Sequence, residues 1–249
     1  MRIFQRWVAR PGGGRTAGGA AGIPAANTPR HRLDEDEWNV RHLKCLERAR
    51  AGGIELVFLG DSITQGWEDV GRLVWTRHYA HRAPLNLGFS GDCTEHALWR
   101  MNEGRELEGL SPRATVVLLG TNNTGHRMDP VADVAAGMSA ILAQLTSKLP
   151  RARILLLGIF PCGSKPTDPR RIRNAEINAE YAKRADGRRV VYADLGAAFL
   201  EPDGTLPRAV MPDLLHLSAE GYRRWAEAME PHLAPLLEDS PVTPDAGKN

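Results

Sequence analysis

A serine hydroxyl becomes a working nucleophile only when a neutral imidazole takes its proton and a carboxylate holds the second ring nitrogen. The 249-residue chain offers these groups as Ser62, His216 and Asp213. Asp213 and His216 stand three residues apart in Asp213-Leu214-Leu215-His216, just ahead of a helical pattern. Both side chains can therefore lie on one side and leave the imidazole Nε2 facing the serine. Attack on an ester carbonyl puts negative charge on its oxygen, and donors aimed at that position supply the largest electrostatic contribution. The candidate donors are the backbone N–H groups of Ser62 and Gly91 and the side-chain amide of Asn122. Glycine at 91 lets the backbone approach a substrate with no Cβ in the way.

Such groups act together only if the fold gathers them. Short Val/Ile/Leu-rich runs at 54–59, 84–87, 114–119, 153–157 and 190–193 are predicted as buried parallel strands. Helical spacing predicts helices over 34–51, 94–102, 130–148, 169–185 and 218–236, with Pro130 and Pro169 suited to first turns and Ser218 to an N-cap. The alternation makes an α/β fold, a parallel sheet with helices on both faces. In such sheets ligands bind beyond the carboxyl ends of the strands, where strand order switches. The blocks Gly60-Asp61-Ser62-Ile63, Gly88-Phe89-Ser90-Gly91-Asp92 and Gly120-Thr121-Asn122-Asn123 directly follow the first three runs.

Composition narrows the function classes. With 42% hydrophobic and 25% charged residues the chain has the balance of an ordinary globular domain. No stretch reaches the roughly 18 to 20 apolar residues of a membrane-spanning helix. Residues 1–33 hold six arginines and no acid, are Gly-rich and carry too few large apolar side chains to fold. They are expected to form a flexible basic arm, ahead of one domain over 34–238 and a disordered tail at 239–249. The rest of the chain has 26 basic against 30 acidic side chains, which excludes a basic nucleic-acid face. The arm lacks the apolar run of a secretory signal; its composition fits an organellar transit peptide except for its lack of serine. Three cysteines without CxxC spacing argue against disulfides and structural zinc and for a cytoplasmic setting.

Other residues read as structural. His31, His42, His78, His81, His96, His126 and His232 lack partners at metal-ligand spacing, so no metal is expected. Cys93 and Cys162 follow strand-end turns and are read as small buried hydrophobes. Ser90 is no nucleophile elbow, because the final glycine of GxSxG is absent. Trp75, Trp99 and Trp225 fall in helical patterns and belong to the core, whereas Trp67, in the loop after Ser62, is placed to touch substrate.

The order GDS, second-block glycine, GTN, DxxH resembles the SGNH (GDSL) hydrolase superfamily over about residues 34 to 237. Within it, NLGFSGDCTEHALWRM, VVLLGTNN and DLLHLSAEGY look most like the catalytic subunits of intracellular platelet-activating factor acetylhydrolase and their bacterial relatives. The resemblance implies a flavodoxin-like three-layer sandwich around a five-stranded parallel sheet. It makes Ser62 the nucleophile, Gly91 and Asn122 oxyanion donors, His216 the base and Asp213 its orienter. It also implies an acyl pocket closed by Ile63, Thr121 and Leu215, with Ile63 standing where the name motif has leucine. The expectation is a cofactor-independent serine esterase that hydrolyses acetyl esters of small molecules through an acyl-enzyme. The alternatives are a lysophospholipase or thioesterase accepting longer chains, and a non-catalytic scaffold subunit, since the mammalian relatives dimerise and join a β-propeller regulator. A homodimer is the assembly the resemblance points to.

Overall fold

Runs of Val, Leu and Ile without alternating polar residues cannot leave a face in water, and here they pair into one sheet covered on both sides. The computed structural model describes residues 26–239. Its strands are β1 (Leu56–Gly60), β2 (Pro84–Gly88), β3 (Ala114–Leu118), β4 (Arg153–Leu157) and β5 (Val190–Ala193), all parallel, in the order β2-β1-β3-β4-β5. Gly60 is level with Gly88 on one side and Leu118 on the other, so β1, β2 and β3 deliver their following loops to one edge. The order reverses at β1, and the crevice between the loops after β1 and β3 is where such sheets bind ligands.

The helices are α1 (Asp36–Arg50), α2 (Ser62–Gln65), α3 (Arg72–His78), α4 (Thr94–Met101), α5 (Thr121–Arg127), α6 (Val131–Lys148), α7 (Pro169–Ala182) and α8 (Ala219–Leu237). The sheet divides the core in two. On one face Trp38 of α1, Ala97 of α4, Met138 and Ile141 of α6 and Ile177 of α7 pack together. On the other, Trp225, Met229 and Leu233 form a stripe four residues apart along α8 against Trp67, Tyr79 and Phe199. Each such side chain contributes about 1.5–3 kcal/mol on leaving water. A buried bidentate pair, Arg82 to Glu230 at 2.6 and 2.8 Å, also ties α8 to the segment before β2.

The five longer helices match expectation in place, and Ser218 Oγ caps α8 by accepting the Gly221 N–H at 3.1 Å. Helices α2 and α5 were not among those expected, and α3 was foreshadowed only by the helical pattern around Trp75. The α5 sequence, Thr-Asn-Asn-Thr-Gly-His-Arg, consists mostly of weak helix formers, and tertiary bonds hold it instead. Thr124 Oγ1 donates to Asn174 Oδ1 at 2.8 Å, and the Asn123 amide accepts from Thr94 N–H at 3.1 Å and donates to Asp129 at 3.0 Å.

Residues 26–33, expected to belong to the flexible arm, lie on the domain. Thr94 Oγ1 donates to the Ala26 carbonyl at 2.8 Å, and Arg30 N–H donates to the Glu95 carbonyl at 3.1 Å. Polar anchors of this kind leave no apolar pattern in the sequence. The remainder of the expected arm and tail, residues 1–25 and 240–249, lies outside the described residues. Among the described residues no helix is long and apolar enough to cross a membrane.

Candidate active site

The site begins where β1 runs out. A Cβ on Gly60 would stand 1.9 Å from Thr64 Oγ1 and 2.8 Å from the Leu118 carbonyl, so only glycine lets the chain turn this tightly into α2. Asp61 then caps that helix, its Oδ1 accepting the Ile63 N–H at 2.9 Å. This cap sets Ser62 on the first turn with its hydroxyl part-buried.

The partner groups arrive from the far end of the chain. Leu214 sits in the left-handed region at φ +65°, a conformation that costs a branched side chain roughly 1–2 kcal/mol. The turn folds the segment so that Asp213 Oδ1 accepts N–H bonds from both Leu215, at 3.0 Å, and His216, at 2.7 Å. Asp213 Oδ2 is thereby aimed at His216 Nδ1, 2.6 Å away, and His216 Nε2 lies 2.9 Å from Ser62 Oγ. Carboxylate, imidazole and hydroxyl form one hydrogen-bonded line, the geometry that moves a proton off a serine.

The loop after β2 is held by buried charge. Asp92, wholly buried, accepts from Trp38 Nε1 at 2.8 Å on Oδ1 and from Arg100 Nε at 2.8 Å on Oδ2. Arg100, also wholly buried and 4.0 Å over the Phe89 ring, donates to Glu106 at 2.6 Å and reaches the Gly60 carbonyl at 3.4 Å. One guanidinium thus joins the strand end that carries Ser62 to the loop that carries Gly91. Asn122, in the first turn of α5, donates one amide proton to the Asp92 carbonyl at 2.9 Å. Its Nδ2 keeps a second proton with which to meet a ligand. Sequence reasoning missed Asp92, Arg100 and Glu106, which read as ordinary polar positions.

Charge and burial tune the line. Burial alone would raise the Asp213 carboxyl, but hydrogen bonds from the His216 ring and backbone outweigh it and hold it at about 2. Burial disfavours charge on His216, yet the Asp213 bond and the charges of Asp213 and Asp61 raise its pKa above the ordinary value. Asp61 is 1% exposed with no partner for Oδ2 among the described residues, and burial pushes its carboxyl up to about 7. The charge of Asp61 acts on His216, so a pH profile belongs to the pair. Only neutral imidazole accepts the serine proton, so kcat/KM is expected to fall on acidification with its midpoint above the ~6.5 of free histidine. Asp61→Asn keeps an acceptor for Ile63 N–H and removes the charge, so the midpoint should move down. A wild-type midpoint below 6.5 in a pH–rate series would contradict this electrostatic picture.

Of the three residues expected at the acyl group, Ile63 follows Ser62 and is 2% exposed, Thr121 opens α5 at 6%, and Leu215 is half-buried beside His216. Trp67, expected near substrate, is instead 0% exposed, its ring 4.5 Å from Tyr222 and 4.8 Å from Trp225. It lies in a single 3-10 turn at Gly66–Glu68 directly after α2, which sends the ring into the core on the α8 side of the sheet. Cys93, Glu95 and His96 bring ligand atoms within 4.8 Å of one another. They are already engaged, however: His96 Nδ1 accepts the Cys93 N–H at 2.9 Å, and Glu95 is paired with Arg127 at 2.7 Å. Burial also pushes the Cys93 thiol well up and the His96 imidazole down to about 3, so the trio serves the start of α4.

Known proteins resemble this chain in sequence and fold. The GDSL-like lipase/acylhydrolase family model matches residues 58–224. The platelet-activating factor acetylhydrolase IB subunit alpha2 of Rattus norvegicus is 32% identical over 211 residues, covering 83% of this chain and 88% of its own length. A GDSL-like lipase from Bacteroides thetaiotaomicron superposes with a TM-score of 0.65 at 15% identity, over 78% of this chain and 97% of that one. An acetylxylan esterase from Geobacillus stearothermophilus does so with a TM-score of 0.57 at 19% identity, over 77% and 97%. At these identities the two structures establish a shared fold.

Proposed function

This chain belongs to the GDSL-like lipase/acylhydrolase family, and from that premise we propose that it is a serine esterase removing short acyl groups, acetyl above all, through an acyl-enzyme on Ser62. The observation that carries the reading is the line Asp213–His216–Ser62, with contacts of 2.6 and 2.9 Å. His216 Nε2 takes the hydroxyl proton as Oγ attacks the carbonyl. Asp213 holds Nδ1–H and stabilises the imidazolium that results. The developing oxyanion collects the N–H groups of Ser62 and Gly91 and the second amide proton of Asn122. His216 then protonates the leaving alcohol, and water, activated by the same imidazole, releases the acid.

The acetyl preference draws support from the name acetylhydrolase borne by a relative 32% identical and from the walls. Ile63 and Thr121 expose 2% and 6% of their surface, so a longer chain would have to displace packed atoms. Overfilling a packed site costs about 1–3 kcal/mol, roughly ten- to two-hundred-fold in rate. On p-nitrophenyl esters kcat/KM should therefore fall from acetyl to butyryl by about that factor. Leu215→Ala, which removes the most accessible wall, should flatten the profile. A preference for octanoyl esters would overturn the acetyl assignment, and no hydrolysis of any ester would overturn the activity itself.

A further inference from the structure

Arg32 precedes the first helix, in a segment whose sequence reads as part of an unfolded arm, and its guanidinium lies across the loop that carries Gly91. Nη1 donates to the Ser90 carbonyl at 2.8 Å and to Asp92 Oδ1 at 3.0 Å. Glu35 accepts from Nε at 2.8 Å and from Nη2 on the other side, which fixes the plane of the group. A Cβ on Gly91 would sit 3.1 and 3.2 Å from the two terminal nitrogens, so residue 91 is the point the guanidinium covers.

The contact with Ser90 has a geometric consequence. A trans peptide is planar, with its carbonyl and the next N–H pointing in opposite directions. Holding the Ser90 carbonyl toward Arg32 therefore directs the Gly91 N–H to the opposite side of the loop. Gly91, at φ +78°, has no side chain to resist rotation of that plane, and glycine crosses such conformations at little cost. The plane thus needs an outside grip. On its other edge Ser90 N–H donates to Gln65 Oε1 at 2.7 Å, but Gln65 restrains the peptide before the one that matters.

We propose that Arg32 is a positioning residue for the oxyanion site, holding the Ser90–Gly91 peptide so that its N–H is presented to the substrate oxygen. The segment ahead of α1 is on this view part of the working enzyme. The proposal rests on the esterase reading above for its kinetic consequence and on the loop geometry alone for its structural one.

The test uses the full chain with Arg32→Ala and Arg32→Lys. Asp92 keeps its bonds to Trp38 and Arg100 in both variants, so the fold is expected to survive. Loss of one oxyanion donor typically lowers kcat by about 10²–10³, and a donor that is merely unsteered should lower it by about 10–100-fold. For Arg32→Ala we expect that fall in kcat on p-nitrophenyl acetate with KM changed less than about twofold, and partial recovery in millimolar guanidinium ion. Arg32→Lys, which can reach the carbonyl or the carboxylate but has no fork, should lie between. Independently of activity, the Gly91 amide resonance in a ¹H–¹⁵N spectrum should be single in the wild type and shifted or doubled in Arg32→Ala. A kcat within twofold of wild type, a loss explained by unfolding without guanidinium recovery, or an unmoved Gly91 resonance would overturn the proposal. A wild-type chain inactive on every ester would instead overturn the esterase reading, and the Gly91 resonance would still decide the role of Arg32.

Discussion

Replacing Ser62 by alanine is expected to lower kcat on p-nitrophenyl acetate by about four to six orders of magnitude while leaving the fold intact. On the proposed mechanism the hydroxyl is the atom that bonds to the acyl group, so no neighbour can share its task. Its described side-chain contact is the 2.9 Å bond to His216, on a part-buried first turn, and its loss removes little packing. Thermal unfolding should move by a degree or two, about the effect of one part-exposed hydrogen bond in a domain of this size. The same residue should carry the adduct after treatment with a fluorophosphonate, read by peptide mass. An adduct on Ser90 or Cys93, or an alanine variant with activity within tenfold of wild type, would contradict the assignment.

The second large effect is on stability. Arg100→Met leaves the wholly buried carboxylates of Asp92 and Glu106 without the cation that bonds them at 2.8 and 2.6 Å. Removing one partner of a buried pair typically costs about 3–5 kcal/mol, because the remaining charge stays out of water. In a domain of about 200 residues that corresponds to a fall in Tm of roughly 6–20 °C. Adding Glu106→Gln should recover part of the loss, since it removes an orphaned charge while its amide can still bond His42, which the carboxylate meets at 2.7 Å. A Tm within 2 °C of wild type would show that water or a rearranged side chain neutralises the cluster.

How far the molecule was legible follows from what each feature leaves in the sequence. Buried parallel strands leave short, mostly apolar runs, broken here only at Asn86, Thr115 and Arg153, and all five, with the alternation of layers, could be read from them. The line proposed as catalytic could be read because serine, histidine and aspartate are needed by type, with Ser62 directly after a strand and the Asp213–His216 pair just ahead of the last helix. The left-handed turn at Leu214 that aims Asp213 could not, because leucine gives no sign of it. Trp67 was misplaced because periodicity is silent in a loop, and only the packing of Tyr222 and Trp225 shows that its ring turns inward. The charged interior and the Arg32 contacts were hidden for a shared reason. Hydropathy reads Asp92, Arg100 and Glu106 as surface, and a segment held by hydrogen bonds to backbone carbonyls has the composition of one that is not held at all.

The spacing of the catalytic pair along the chain bears on how the molecule comes into being. Ser62 and His216 are 154 positions apart, and the base stands immediately before α8. That helix is seated by its stripe of Trp225, Met229 and Leu233, by Glu230 on Arg82, and by the Tyr222 hydroxyl donating to the Ile63 carbonyl at 2.7 Å, one residue from the nucleophile. On a ribosome the serine emerges early and waits. Until the last helix has been made and has docked, Ser62 lacks its His216 partner and one face of the sheet lacks the cover of Trp225, Met229 and Leu233. On the proposed mechanism reactivity therefore arrives together with completion of the fold, and a half-made or prematurely ended chain would carry an inert hydroxyl rather than an unguarded hydrolase.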